Sequence, residues 1–159
     1  MKFKDYEYIR PNVEEIKKSV IQLTDTINTA TSFLEVDKAI QQYVQIDNEF
    51  GSMATLASIR NSINTQDEFY EQEQEFFDTV GPELAEYFQN LNLAIYNSKF
   101  RTELVEKYGS KIFREIEVDL KTFKPEIIED LQIENKLTTK YDKLKASAQI
   151  EFDGKVLPL

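Results

Sequence analysis

The chain has 159 residues, with 19 Lys and Arg against 29 Asp and Glu, and a formal net charge of −10. It contains neither Cys nor His, which excludes a disulfide framework and thiol chemistry and removes the commonest general base and metal ligand. Cysteine-free composition is typical of a reducing compartment, and the first residues lack the apolar segment of a signal peptide. No apolar run approaches the roughly 18 residues of a membrane span. We therefore expect a cytoplasmic protein with no membrane partner.

The excess negative charge is concentrated in the middle of the chain. Residues 61–98 contain eight acidic residues and no Lys or Arg. A block of this kind repels phosphate, which argues against nucleic acid as a partner, whereas it can attract a basic peptide or dock on a basic surface. The alternative is a solvated acidic helix face without a ligand. The candidate surface, facing a peptide or another lobe, comprises Asp67, Glu68, Glu71, Glu75, Glu83 and Glu86.

The start of the chain predicts a surface segment followed by a helix. Residues 1–10 are polar and aromatic, and we expect them to be extended. Asn12 with Glu15 is a typical N-terminal helix signal, and the helix should reach about Thr29. Its apolar residues form a narrow stripe, which favours a single partner helix, the long one that follows. They are Val13, Ile16, Val20, Leu23, Ile27 and Ala30.

One long helix is predicted from about residue 32 to residue 64. Ser32 and Glu35 form a capping box at its start, and apolar residues recur at helical spacing as far as Ile63. Its length should be on the order of 45–50 Å. We therefore expect the other elements to be arranged around it.

Shorter helices are predicted after the long one. A third helix, capped by Thr65 or Asp67, should end at Gly81-Pro82, because glycine often ends a helix and proline often opens the next. The following helix should cover about 82–97. Two brief helices then complete the middle of the chain.

The last helix is predicted to open at Pro125. Its apolar residues indicate one more packed stripe, in which Glu134 either is buried and paired or faces water. Asp153-Gly154 between apolar residues predicts a two-residue β-hairpin turn, and the chain ends at Leu159 as though cut off. The stripe comprises Ile127, Leu131, Leu137, Tyr141, Leu144 and Ala148.

Together these elements predict an all-α fold. We expect an elongated multi-helix bundle around one long helix, about 32–64, with a short C-terminal β-hairpin. The length fits a single helical domain, 1–159.

Motifs for catalysis are not found in the sequence. The acidic segment DEFYEQEQEFFD suggests a di-iron bundle, but such a site needs Glu-x-x-His pairs, and the chain has no His. Gly-rich phosphate loops, Ser-His-Asp sets, Cys pairs and H-E-x-x-H are also missing. The sequence therefore assigns no catalytic and no metal-binding residue.

Three long segments resemble a known family. They are KFKDYEYIRPNVEEI near the start, MATLASIRNSINTQDEFYEQEQEFFD in the middle, and LKTFKPEIIEDLQIENKLTTKYDKLKASAQIEFDGK near the end. In their residues and in their order along the chain, they resemble the N-terminal part of oligoendopeptidase F, a branch of the thimet-oligopeptidase-like zinc metallopeptidases. The resemblance covers essentially the whole chain.

The resemblance implies a mostly helical protein whose two lobes flank a deep channel in which short peptides are hydrolysed. In the family, zinc is held by the two His of H-E-x-x-H and a later Glu, with the motif Glu as general base. None of these residues is present here, so this chain is expected to be an N-terminal fragment, inactive alone and without a cofactor. Its expected partners are the missing catalytic lobe of the same polypeptide and, in the parent protein, short peptides.

An alternative function belongs to another class. A free-standing helical adaptor could bind a basic protein through the long helix and the acidic face. A stop codon after Leu159 would favour the adaptor, whereas continuation to H-E-x-x-H would favour the peptidase. In the fragment, apolar surface left by the missing lobe should also promote self-association.

Overall fold

The computed structural model describes residues 3–152 and 154–158. A short 3-10 turn at Phe3–Asp5 precedes the first helix, and another at Pro125–Ile127 precedes the last. The helices are α1 (Val13–Thr29), α2 (Phe33–Ile63), α3 (Glu68–Tyr96), α4 (Arg101–Tyr108), α5 (Ser110–Thr122) and α6 (Ile128–Ala146), and the strands are β1 (Gln149–Phe152) and β2 (Lys155–Pro158).

Three of the helices begin where their capping residues predict. The side chains of Asn12, Ser32 and Asp67 each accept a hydrogen bond from backbone N–H groups of the first turn of α1, α2 and α3, respectively. A helix leaves these N–H groups without intrahelical partners, so an oxygen acceptor at this position fixes the start. The predicted ends of α1 and α2 also agree with the structure to within a residue.

The core lies where the long helices meet. α3 is nearly as long as α2 and packs against α1, α2, α5 and α6. The expectation that α1 has a single partner is wrong, because α1 packs against both α2 and α3. The buried apolar residues of this core are Val20, Leu23, Ile27, Ala30, Val36, Ala39, Ile40, Leu91, Ala94, Ile95, Leu104, Phe113 and Ile116.

The predicted helix break at Gly81-Pro82 is wrong. α3 runs without interruption from Glu68 to Tyr96 with Pro82 inside it. Proline has no backbone N–H and clashes with the carbonyl four residues earlier, so a helix normally ends or kinks there. The bundle must therefore supply what the backbone has lost.

Helix α6 supplies a donor in place of the missing one. The carbonyl left free by Pro82 belongs to Asp78, and it accepts a hydrogen bond from Nδ2 of Asn135 at 3.2 Å. The next carbonyl, that of Thr79, accepts one from Nε2 of Gln132 at 2.9 Å. Two amide side chains of α6 thus satisfy the backbone of α3 at the proline.

Half of the apolar stripe predicted for the last helix is not packed against the bundle, whereas Ile127, Leu131 and Ala148 are partly buried. No residue of α6 is fully buried. Leu137, Tyr141 and Leu144 are 59%, 60% and 69% exposed, so the expectation that they belong to the core is wrong. Glu134 is exposed as well, which agrees with the water-facing alternative. The face of α6 that meets α3 is instead polar.

The C-terminal hairpin is present. β1 and β2 pair antiparallel with Phe152 opposite Lys155, and Gly154 has φ +66°, a conformation that glycine adopts without strain. Asp153, the other predicted turn residue, lies outside the described residues, as does Leu159.

The predicted fold class, an all-α bundle with a long second helix, is confirmed. Within the described part of the chain, no helix is both long and apolar enough to cross a membrane.

Candidate functional site

An acidic face runs along the exposed side of α3. Glu68, Glu75 and Glu86 are all exposed, and their spacing places them on one line along a regular helix. The first and last are about 27 Å apart at the usual rise per residue. We call these three residues the acidic face. It can bind basic groups by charge.

The other three predicted surface acids have partners within the fold. Asp67 caps α3 through its side chain. Glu71 accepts a hydrogen bond from Nζ of Lys143 on α6, and Glu83 lies 3.6 Å from Nζ of Lys17 on α1. Glu71 and Glu83 fasten α3 to its neighbours, so with Asp67 used as a cap, half of the predicted surface has partners within the fold.

Two further acids of residues 61–98 are buried, and neither was among the six residues predicted for the acidic surface. Glu73 is 3% exposed. Its oxygens accept hydrogen bonds from Nε of Arg10 at 2.9 and 3.1 Å, from Nη2 of the same residue, and from the hydroxyl of Tyr8. The hydrogen bonds from Arg10 hold the pKa of the Glu73 carboxyl below its usual range, although burial opposes this. The N-terminal segment is thereby fixed to α3.

The second buried acid is Asp78, which lies at the junction with α6. Its carboxylate accepts hydrogen bonds from Nε2 of Gln74 at 2.7 Å and from the hydroxyl of Thr139 at 2.8 Å. Spacing gives a signal that could have identified one of the two buried acids, Glu73. Glu73 precedes the buried Phe77 by four residues and Val80 by seven, so it lies on the apolar side of the helix.

The donor set does not fit a zinc ion. Zinc in proteins is bound by Cys, His and carboxylate ligands, four in structural sites and at least three in catalytic ones. The chain has no Cys or His. In residues 3–152 and 154–158, no group of three or more Asp and Glu is placed to hold a metal. The described site therefore offers charge and hydrogen bonds, without groups for metal-assisted hydrolysis.

The family model of the peptidase M3 N-terminal domain matches residues 3–123, most of the chain. The chain belongs to the M3 peptidase family. Within this family it corresponds to the N-terminal part of oligoendopeptidase F, as the three sequence segments predicted. No match is found among the curated proteins.

Three solved structures share the fold over nearly the whole of this chain. PZ peptidase A, solved with an inhibitor, is 42% identical and superposes with a TM-score of 0.95 over 99% of this chain. A protein assigned as oligoendopeptidase F is 37% identical with the same TM-score and coverage. Another, from Bacillus anthracis str. Ames, is 42% identical with a TM-score of 0.94 over 98% of this chain.

These relatives are much longer. The match covers only 28%, 28% and 29% of their chains, respectively. This M3-family chain therefore spans less than a third of the length of the relatives it matches.

Proposed function

We propose that this chain is the N-terminal, non-catalytic lobe of an oligoendopeptidase F-type zinc metallopeptidase that hydrolyses short peptides. In this proposal the lobe forms one wall of the substrate channel and is inactive alone. The observation that carries the proposal is the match over 99% of this chain but 28% of the relatives' chains. A segment that superposes so closely on part of a larger enzyme is expected to occupy the same position in a longer polypeptide of its own.

The chemistry of the chain supports a non-catalytic role. A catalytic zinc site needs three protein ligands and an open position for water. The chain has no His and no Cys, so the zinc ligands and the general base would come from the rest of the parent polypeptide. The cysteine-free composition also supports a cytoplasmic location.

The acidic face is the part of the lobe that we assign to contact with substrate. The carboxylates of Glu68, Glu75 and Glu86 have no hydrogen-bonding or ion-pair partner among the described interactions, and Glu75 accepts a hydrogen bond from Thr79 only through its backbone carbonyl. Carboxylates in such a line attract cationic groups over a distance of about 10 Å at moderate ionic strength. We propose that this face attracts basic peptides, or a basic surface of the catalytic lobe.

The lobe assignment is tested by sequencing the gene downstream of the Leu159 codon and purifying both polypeptides. We expect the reading frame to continue to H-E-x-x-H and a later Glu. The longer protein should hydrolyse a quenched fluorescent peptide with zinc, and the 159-residue chain should not. A variant of the longer protein with the motif Glu changed to Gln serves as the inactive control. Turnover by the 159-residue chain would contradict the proposal.

The acidic face is tested in the longer protein by the triple variant E68Q/E75Q/E86Q. If the face attracts substrate, KM for a Lys-rich peptide should rise about three- to tenfold at low salt, since each lost charge weakens attraction by a fraction of a kcal/mol. KM for a neutral peptide should stay constant. The matched control is E15Q/E103Q/E106Q, which removes three exposed charges elsewhere. Equal effects of the two triple variants would contradict a role for this face.

A further inference from the structure

Helix α6 presents its polar side to the bundle. Gln132, Asn135, Thr139 and Lys143 donate hydrogen bonds to acceptors on α3: two backbone carbonyls, the carboxylate of Asp78 and a further carboxylate. Their spacing places them on one face of a regular helix. A row of four hydrogen bonds therefore connects α6 to the bundle.

The opposite side of α6 carries large apolar residues. Ile133, Leu137, Tyr141 and Leu144 are 49%, 59%, 60% and 69% exposed. Counting 100° per residue, this stripe is centred about 150° around the helix from the polar face. We call these four residues the α6 stripe. A surface helix of a globular domain normally has the reverse arrangement, with its apolar stripe towards the core.

The α6 stripe has the size and character of an interface. Four half-exposed large side chains in a row make an apolar patch of a few hundred Å², the range in which patches on proteins mark interaction sites. The hairpin follows directly, and its Ile150 is 48% exposed. An isolated two-stranded hairpin is marginally stable in water, so both neighbouring elements would gain from one covering partner.

We infer that the α6 stripe is the surface on which the remainder of the same polypeptide docks. The inference rests on the proposed function, in which this chain is one lobe of a longer protein. Relatives with the same fold carry more than twice as much further polypeptide, since the match covers 28% of their length. A remainder attached to the chain meets the stripe at high effective concentration, whereas a second copy must associate from solution.

The test uses single cysteine variants, because the chain has no native Cys. L137C places a thiol in the stripe. The matched control V118C, on α5, replaces an apolar residue of similar exposure, 57% against 59%. Maleimide labelling rates are measured by peptide mass spectrometry in the 159-residue chain and in the longer polypeptide read from the gene.

In the 159-residue chain, kept dilute so that it is monomeric, both cysteines should react at similar rates. In the longer polypeptide, L137C should react at least about tenfold more slowly, since labelling then requires local opening, while V118C keeps its rate. Equal labelling of the two cysteines in the longer polypeptide would overturn the inference. Protection that disappears on dilution would also overturn it, because it would assign the stripe to a second copy.

Failure of the proposed function has a different signature. If the gene reads on without H-E-x-x-H and L137C is still protected at every dilution, the peptidase assignment fails and the docking assignment stands. If H-E-x-x-H is present and L137C is freely labelled, the docking assignment fails alone. A reading frame that ends at Leu159 would overturn both.

Discussion

Two buried carboxylates connect distant parts of the chain. Glu73 is held by Arg10 from the N-terminal segment. Asp37 on α2 accepts hydrogen bonds from Nζ of Lys107 at 2.5 and 2.6 Å and from the hydroxyl of Tyr108 at 2.6 Å. The hydrogen bonds from Lys107, then that from Tyr108, hold the pKa of the Asp37 carboxyl below its ordinary value. Each buried acid is thus satisfied by donors far away in sequence.

Replacing Glu73 by Gln should lower the free energy of unfolding by about 1–3 kcal/mol, because the negative charge is lost and one acceptor oxygen becomes an NH2 donor that faces the donors of Arg10 and Tyr8. The loss stays within this range because the Arg10 side chain is 50% exposed and can be solvated. Urea denaturation followed by circular dichroism measures the change. The matched control E75Q lies two residues away and is exposed. A loss equal to that of E75Q would show that the buried contact does not stabilise the fold.

The free energy of unfolding should also depend on pH. The carboxyl pKa values of Glu73 and Asp37 are lowered on folding, so their contribution is complete above the ordinary carboxyl pKa of about 4 and is lost as the pH falls through the lowered values. The double variant E73Q/D37N should therefore be less stable at neutral pH but lose less further stability between about pH 5 and 2 than the natural chain. Parallel pH profiles of urea unfolding would contradict this.

Near Pro82, two backbone carbonyls of α3 accept hydrogen bonds from side chains of α6. Local rules end a helix at Gly81-Pro82, yet the helix continues because Gln132 and Asn135 donate to the carbonyls of Thr79 and Asp78. The local cost is offset by a contact across 53 to 57 residues of sequence. Continuity of α3 and docking of α6 are therefore coupled.

This coupling can be measured with a double-mutant cycle of P82A and N135A. In the natural background, N135A should cost about 1–3 kcal/mol of unfolding free energy, since the carbonyl of Asp78 loses its donor. With P82A, the new backbone N–H at position 82 can bond the same carbonyl, so N135A should cost less. We expect a coupling of about 1 kcal/mol.

The cycle also controls for lost packing at Pro82, which is buried, because that loss appears in both P82A proteins and cancels. Strictly additive effects of P82A and N135A would show that Asn135 does not compensate for the proline.

At the scale of the whole molecule, the bundle has one helix whose apolar side faces outward. The α6 stripe lies on a helix with no fully buried residue. Water-exposed apolar area of this extent costs free energy that a partner would recover. The 159-residue chain is thus a folded bundle with an uncovered apolar surface.

We expect the 159-residue chain to self-associate weakly through this surface when no other partner is present. Sedimentation velocity should show a weight-average coefficient that rises with concentration. The double variant L137K/L144K should abolish the rise by adding charge to the stripe. The control V118K adds charge to an exposed position on α5 and should have little effect. A natural chain that stays monomeric at high concentration would contradict the prediction.

Local patterns gave reliable information wherever the deciding interactions are close in sequence. The caps at Asn12, Ser32 and Asp67 begin their helices as expected, because an N-cap involves atoms within three or four residues. The hairpin follows for the same reason, since β1 and β2 are adjacent. The acids Glu68, Glu75 and Glu86 are exposed, which agrees with a charged helix face.

The sequence by itself determined the helical class, three of the helix starts, the hairpin and the family, because short-range chemistry and extended resemblance are both carried by the order of residues. Only the tertiary structure decided the continuity of α3, the burial of Glu73 and the outward orientation of the α6 stripe. Each of these depends on a contact between residues more than 50 positions apart. Periodicity identifies an apolar side of a helix, but it cannot say whether the bundle or a partner covers that side.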